Sequence, residues 1–204
     1  MRILAFSDLH GSVSAARALV ARSAGTDLVI GAGDFCNMRQ GLDEAMALLA
    51  GLHAPLVAVP GNAESADELR AAAAGVEGGA GITVLHGTGC EVAGLRLFGL
   101  GYGIPVTPFG AWSCDMTEAQ ADTALAGCAA ADILVLHSPP KGLADRTSAG
   151  QSVGSTAIRA AIARIAPRYA FCGHIHDSWG ERGMIGTTEV VNLGPAGHVF
   201  EVTP

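Results

Sequence analysis

Charge is scarce in this chain. Only 15% of its 204 residues are Asp, Glu, Lys or Arg, while 50% are hydrophobic and 5% aromatic. A half-apolar chain has enough core material to exclude disorder, and this length suits one domain, residues 1–204, better than two. Long apolar runs are also missing. None approaches the ~20 residues of a membrane span, and the opening run at residues 3–6 is too short for a signal peptide before it meets Ser7-Asp8. No membrane partner is expected. There is no basic excess either. The formal charge is −7, which argues against a general nucleic-acid footprint. An acidic protein still binds phosphate where bound cations supply local positive charge. Finally, no C-x-x-C pair occurs among Cys36, Cys90, Cys114, Cys128 and Cys172. The odd count and irregular spacing read as reduced thiols of a cytoplasmic protein, mostly small core residues.

What is present is a rhythm. Apolar runs at 2–6, 27–30 and 55–59 read as strands, and segments 12–22, 41–52 and 64–74 read as helices between them. This β-α-β-α order argues for a sheet with helical crossovers. Segments 82–85, 90–93 and 95–100 follow, separated by glycine-containing turns, and are expected to be consecutive antiparallel strands. After a Gly/Pro/aromatic loop at 101–115 come a helix at 117–128, a strand at 133–136, a helix at 155–165 and a strand at 169–172. A hairpin of 190–193 with 199–202 closes the set. The Ala/Gly-rich stretch 71–81 fits a turn after a helix. No repeat or linker divides the chain, so a two-sheet α/β sandwich with helices outside is expected.

The polar residues that follow the strands form a second pattern. The first strand ends in Ser7-Asp8-Leu9-His10, the second in Gly33-Asp34, the third in Gly61-Asn62. Strand 133–136 is followed by His137, and strand 169–172 by Gly173-His174-Ile175-His176. Each piece alone has an ordinary reading as a turn residue, a cap or a surface histidine. Together they bring seven metal-competent side chains to one edge, beyond the carboxyl ends of strands where α/β sheets bind ligands. The set holds nitrogen and oxygen donors and no thiolate. That favours borderline or hard divalent ions over a cysteine-type structural zinc site. A bridging carboxylate at Asp34 would let Asp8, His10 and His176 complete one site, and Asn62, His137 and His174 another. Two ions ~3.5–4 Å apart activate water and bind phosphoryl groups. No competing nucleophile is expected, neither a P-loop nor a serine elbow.

On the blocks Asp8-Leu9-His10, Gly33-Asp34, Gly61-Asn62, His137 and Gly173-His174-Ile175-His176, the chain resembles the calcineurin-like metallophosphoesterase superfamily. The segments His137-Ser138-Pro139-Pro140-Lys141-Gly142 with Asp145, Val153-Gly154-Ser155 and Thr107-Pro108-Phe109 resemble its small prokaryotic Icc-like subgroup. The resemblance implies a four-layer α/β/β/α sandwich, two mixed sheets flanked by helices. It also implies a dimetal phosphoester hydrolase whose metal-bridging hydroxide attacks phosphorus in line. The seven residues carry the metal and catalytic roles, and Asn62 and Phe109 contact substrate. Manganese is the expected metal, with iron, zinc or nickel as alternatives, and the substrate is a small phosphoester of nucleotide-like type.

One block departs from the family pattern. Ala63 stands where a leaving-group histidine is common, which removes a general acid worth ~10²–10⁴ in rate and favours diesters over alkyl monoesters. His86 and His198, in glycine-bearing turns, are candidate substitutes, with an ordinary surface role as the alternative. Glu64 is expected to cap the following helix. Lys141 and Arg146 are read as phosphate-attracting or simply solvated charges. Ser155 is a helix N-cap that leaves amides free for an anion. Cys36 is not expected to be catalytic. The apolar loop 102–112 has three readings: a wall or lid over the metals, a homo-oligomer contact, or a loop packed on its own core. A rival to the enzyme reading is a metal-binding scaffold in a protein complex.

Overall fold

The computed structural model describes residues 1–76 and 81–203. The expected turn at 71–81 therefore falls partly outside the described residues. Two mixed sheets stack face to face. The first is built from β1 (Arg2–Phe6), β2 (Leu28–Gly31), β3 (Leu56–Ala58), β4 (Ile82–Val84) and β11 (His198–Glu201), in the order β11-β1-β2-β3-β4. Strands β1 to β4 run parallel, and β11 pairs antiparallel with β1. The second holds β5 (Thr88–Val92), β6 (Leu95–Leu100), β7 (Ile133–Leu136), β8 (Tyr169–Cys172), β9 (Arg182–Ile185) and β10 (Thr188–Asn192), in the order β5-β6-β7-β8-β10-β9. Strands β6, β7, β8 and β10 are parallel, with an antiparallel strand at each edge.

Alternation along the strands separates three cores. Ile3, Ala5, Leu28, Ile30 and Val57 point between the sheets and meet Leu97, Ile133, Val135, Phe171 and Val191. Leu4, Phe6, Val29 and Leu56 point the other way, against helices α1 (Val13–Arg22), α2 (Leu42–Leu49) and α3 (Ala66–Ala74). On the far side Leu134, Leu136 and Ala170 face α4 (Glu118–Ala126) and α5 (Thr156–Ile165). Strands buried on both faces are apolar throughout, which is why β1, β7 and β8 were visible as uninterrupted runs. The result is the expected four-layer sandwich. No helix among the described residues is long and apolar enough to cross a membrane.

Three local expectations are corrected. First, β4 is not antiparallel to its successors. It joins the first sheet parallel to β3, and the chain then crosses to the second sheet, where β5 and β6 form the antiparallel pair. Second, segments 190–193 and 199–202 do not form a hairpin. The hairpin is β9–β10, and β11 returns to the first sheet beside β1. Third, Glu64 does not cap α3. Ser65 does, in a reciprocal capping box with Glu68.

The outer helices are tied by a carboxylate. Glu118 opens α4, yet accepts hydrogen bonds from Ser155 Oγ at 2.7 Å and the Thr156 and Ala157 amides at 2.9 and 2.8 Å, the first turn of α5. Burial would raise its pKa, but these donors prevail and hold it below the ordinary value of 4.5. A depressed carboxylate stabilises the fold above its unfolded pKa, and that support is lost as pH falls through the folded pKa. Glu118→Ala should therefore cost about 1 kcal/mol at neutral pH, with the deficit shrinking below pH ~4. Urea titrations at pH 7 and pH 3.5 check this, and an equal deficit at both would contradict it.

Candidate metal centre

The carboxyl ends of β1, β2, β3, β7 and β8 open onto one rim, and the backbone there leaves the ordinary regions. Asp8, His10, Asp34 and His174 all have positive φ, at 53°, 47°, 57° and 67°. Left-handed backbone is costly for residues with a Cβ and persists only where its surroundings enforce it. Here the loops after β1 and β2 are laced together. The Asp8 amide donates to Gly33 O at 2.9 Å, His10 to Asp34 O at 2.9 Å, and Gly11 to Phe35 O at 2.8 Å. Two glycines allow the close approach. A Cβ on Gly61 would collide with the Asp34 carboxylate, and one on Gly173 with Asp8 and Ser7.

All seven expected residues come together. Asp34 lies in the middle: its Oδ2 is 3.5 Å from His10 Nε2 and its Oδ1 is 3.5 Å from His137 Nε2. On one side His176 Nε2 is 3.7 Å from Asp8 Oδ1 and 3.2 Å from His10 Nε2. On the other, Asn62 Oδ1 is 3.2 Å from His137 Nε2, and the His174 ring centroid is 4.9 Å from that of His137. The donor atoms of Asp8, His10 and His176 fall within 4.8 Å of one another, as do those of Asp8, Asp34 and His137. His174 belongs to neither of these two tight groups.

The surroundings aim the donor atoms inward. His137 Nδ1 is 2.8 Å from Ala32 O and His10 Nδ1 is 3.2 Å from Cys36 O. A carbonyl can only accept, so each Nδ1 donates and each Nε2 is turned toward the cluster, the orientation that metal-binding histidines take. Asn62 Nδ2 donates to Ser113 Oγ at 3.2 Å, which turns its Oδ1 toward the cluster. Asp8 Oδ2 accepts from Ser7 Oγ at 2.5 Å and from Trp179 Nε1 at 3.0 Å.

Electrostatics reinforce the pattern. Burial raises the Asp34 pKa, and the nearby Asp8 charge raises it further. Burial would also raise Asp8, but hydrogen bonding to His176, the charge of His137 and the Ser7 hydroxyl hold it below the usual range. His174 is pushed down to about 3 by burial and then by His137. Imidazole nitrogens and buried carboxylate oxygens gathered around one point form a donor set that fits divalent cations.

Glu64, expected to cap the following helix, is instead part of this architecture. It is fully buried, and its two oxygens accept four backbone N–H groups: Asp34 at 2.9 Å, Gly61 at 2.6 Å, Phe35 at 3.1 Å and Cys36 at 3.3 Å. Burial, then the Asp34 charge, raises its pKa. Its place three residues after Gly61 was the available signal. Trp179, tilted against His176 at 4.4 Å between centroids, has no such signal.

Other expected contributors lie elsewhere. His86 Nδ1 accepts from the Gly101 amide, and His198 Nε2 bonds Leu193 O. Lys141 and Arg146 are held by the Ser152 and Gly150 carbonyls. Cys36 Sγ donates to Ala63 O, and burial raises its pKa. Gly150-Gln151-Ser152-Val153-Gly154 does spell a serine-elbow pattern, contrary to the expectation of none. It follows no strand, and its Ser152 hydroxyl donates to Asp145 at 2.5 Å with no histidine partner. Phe109 and Trp112 line the ≈ 350 Å³ cavity over His10, Asp34 and Asn62.

Glu64→Ala would leave four buried amides without an acceptor. The expected loss is about 3 kcal/mol or more of stability, with Mn²⁺ affinity reduced about tenfold to hundredfold. Urea unfolding and calorimetric Mn²⁺ titration measure both, and a variant matching the parent in each would refute the assigned role.

The comparisons with known proteins agree with this geometry. The calcineurin-like phosphoesterase superfamily domain matches residues 1–204. No curated protein sequence matches significantly. Among solved structures, TT1561 of Thermus thermophilus superimposes with TM-score 0.76 at 19% identity, over 96% of this chain and 90% of that one. Phosphopantetheinyl hydrolase from Mycobacterium tuberculosis gives 0.61 at 14%, over 94% and 88%. A dimetal phosphatase from Danio rerio gives 0.58 at 13%, over 96% and 88%. At these identities the likeness is one of fold. The match along the whole chain establishes that this protein belongs to the calcineurin-like phosphoesterase superfamily.

Proposed function

We propose that the protein is a dimetal-dependent phosphoester hydrolase that prefers diesters or esters with good leaving groups. The observation that carries this reading is the position of Asp34, with one oxygen toward His10 and the other toward His137. In this reading Asp8, His10 and His176 hold one ion and Asn62, His137 and His174 the other, with Asp34 shared. Divalent ions there supply Lewis acidity for the phosphoryl oxygens and lower the pKa of a water molecule. The donor set suits manganese, with iron, zinc or nickel as alternatives.

The chain's own residues set the rest of the chemistry. Asn62 presents an amide oxygen fixed by Ser113, and Phe109 and Trp112 line the cavity. Ala63 offers no proton, and neither His86 nor His198 lines the cavity. The leaving oxygen therefore departs without a protein acid, which disfavours alkyl monoesters. A nucleotide-like diester is the proposed substrate type. The five free cysteines support a reducing, cytoplasmic setting. Self-association through the apolar loop 102–112 is the alternative to its role as a cavity wall.

The test is hydrolysis of bis-p-nitrophenyl phosphate and p-nitrophenyl phosphate with Mn²⁺, with chelator, and by Asp34→Asn. Cleavage should need metal, fall by about 10²-fold or more in the variant, and favour the diester. A faster monoester reaction would remove the diester assignment. Full metal loading without turnover would favour a metal-binding scaffold instead.

A further inference from the structure

A second cavity lies beside the proposed centre. Its volume is ≈ 510 Å³, and it shares Phe109, Thr147, His174 and Ile175 with the cavity over Asp34. Its other walls come from Pro105, Val106 and Pro108 on one loop and from Ser152 and Val153 on another. No carboxylate lines it. The polar groups that do are largely engaged with protein. Thr107 Oγ1 donates to Asp115 at 3.0 Å, Ser152 Oγ to Asp145 at 2.5 Å, and Lys141 Nζ to Ser152 O at 2.5 Å. The surface left to a ligand is mainly apolar, with the Gln151 amide and the Lys141 ammonium as its polar exceptions.

Both walls are fixed in place. Cys114, at the end of the first loop, donates its amide to Asn62 O at 2.9 Å, and Asp115 also receives Ser113 Oγ at 3.0 Å. On the second, Asp145 accepts from the Gly142 and Gly154 amides at 2.9 Å each, and Ser148 N donates to Asp177 Oδ2 at 2.8 Å. A preformed apolar cavity binds without a large ordering cost. Yet Val106 and Phe109 are left 58% and 49% exposed. The folded chain itself does not cover these side chains.

We infer that this second cavity is a substrate subsite: it takes the uncharged, apolar organic group of a phosphoester whose phosphoryl group sits at Asp34. The inference rests on the proposed hydrolase reading, and it replaces the nucleotide-like group of that reading with an apolar alkyl or aryl ester group. The shared Phe109, with its ring 6.3 Å from that of His174, joins the two compartments. Because Asn62 is hydrogen-bonded to the loop that forms one wall, the spacing between phosphoryl and apolar sites is built into the fold.

Alkylphosphonates test this without turnover. Methyl-, butyl- and hexylphosphonate are titrated calorimetrically into Mn²⁺-loaded protein and into Val106→Asp. Burial of a methylene is worth up to about fourfold in affinity. The expected result is at least about a tenfold gain from methyl to hexyl, largely abolished in Val106→Asp. A flat series with methylphosphonate bound would overturn the subsite and leave the hydrolase reading intact. An undiminished gain in Val106→Asp would place the chain elsewhere and also overturn it. Failure of any phosphonate to bind would overturn the subsite, while the hydrolase reading stands or falls on metal-dependent turnover of bis-p-nitrophenyl phosphate.

Discussion

Two carboxylates share a buried rim in this protein, and most of the structure around them serves to keep them there. Asp8 and Asp34 are 1% and 3% exposed. Like charges in a desolvated space repel strongly, and removal from water penalises each. The chain offsets part of this with donors from the backbone and from side chains. Asp8 receives Ser7, Trp179 and the His174 amide, and Asp34 receives the Ala63 amide. The carboxylate oxygens also face the ring nitrogens of His10, His137 and His176. In the proposed account, divalent cations complete the balance.

Holding the two carboxylates in place sets the demands on the backbone. Four of the seven rim residues adopt left-handed conformations, and the glycines beside them allow contacts that a Cβ would block. The strain is tolerated because the rim sits on parallel strands buried on both faces, whose cores lie on either side of each sheet. Glu64 extends the same logic one layer outward. By accepting from Asp34, Phe35, Cys36 and Gly61 it pins two loops that carry candidate ligands. An acidic group can occupy that place only because four amide dipoles face it.

Much of this was legible in the residues. Strands β1, β7 and β8 match the expected segments because a doubly buried strand is an unbroken apolar run with a polar end. The Ser155 cap matches its expected role, its hydroxyl preceding a helical pattern. What failed was pairing. Nothing local marks that β4 and β11 belong to one sheet while β5, β9 and β10 belong to the other, because the chain crosses between sheets through ordinary turns. The Glu64 role escaped for a related reason: its four donors are near in space, but three of them lie about 30 residues away in sequence. The rim residues themselves were visible because each follows directly on a strand. Trp179 became identifiable only from its contact with Asp8.

The central claim is that Asp34 lies between two divalent ions. Anomalous diffraction from crystals soaked in Mn²⁺ tests it most directly. The account predicts two peaks on either side of the Asp34 carboxylate, one beside Asp8, His10 and His176, the other beside Asn62, His137 and His174. A single peak, or peaks away from Asp34 at saturating Mn²⁺, would contradict it.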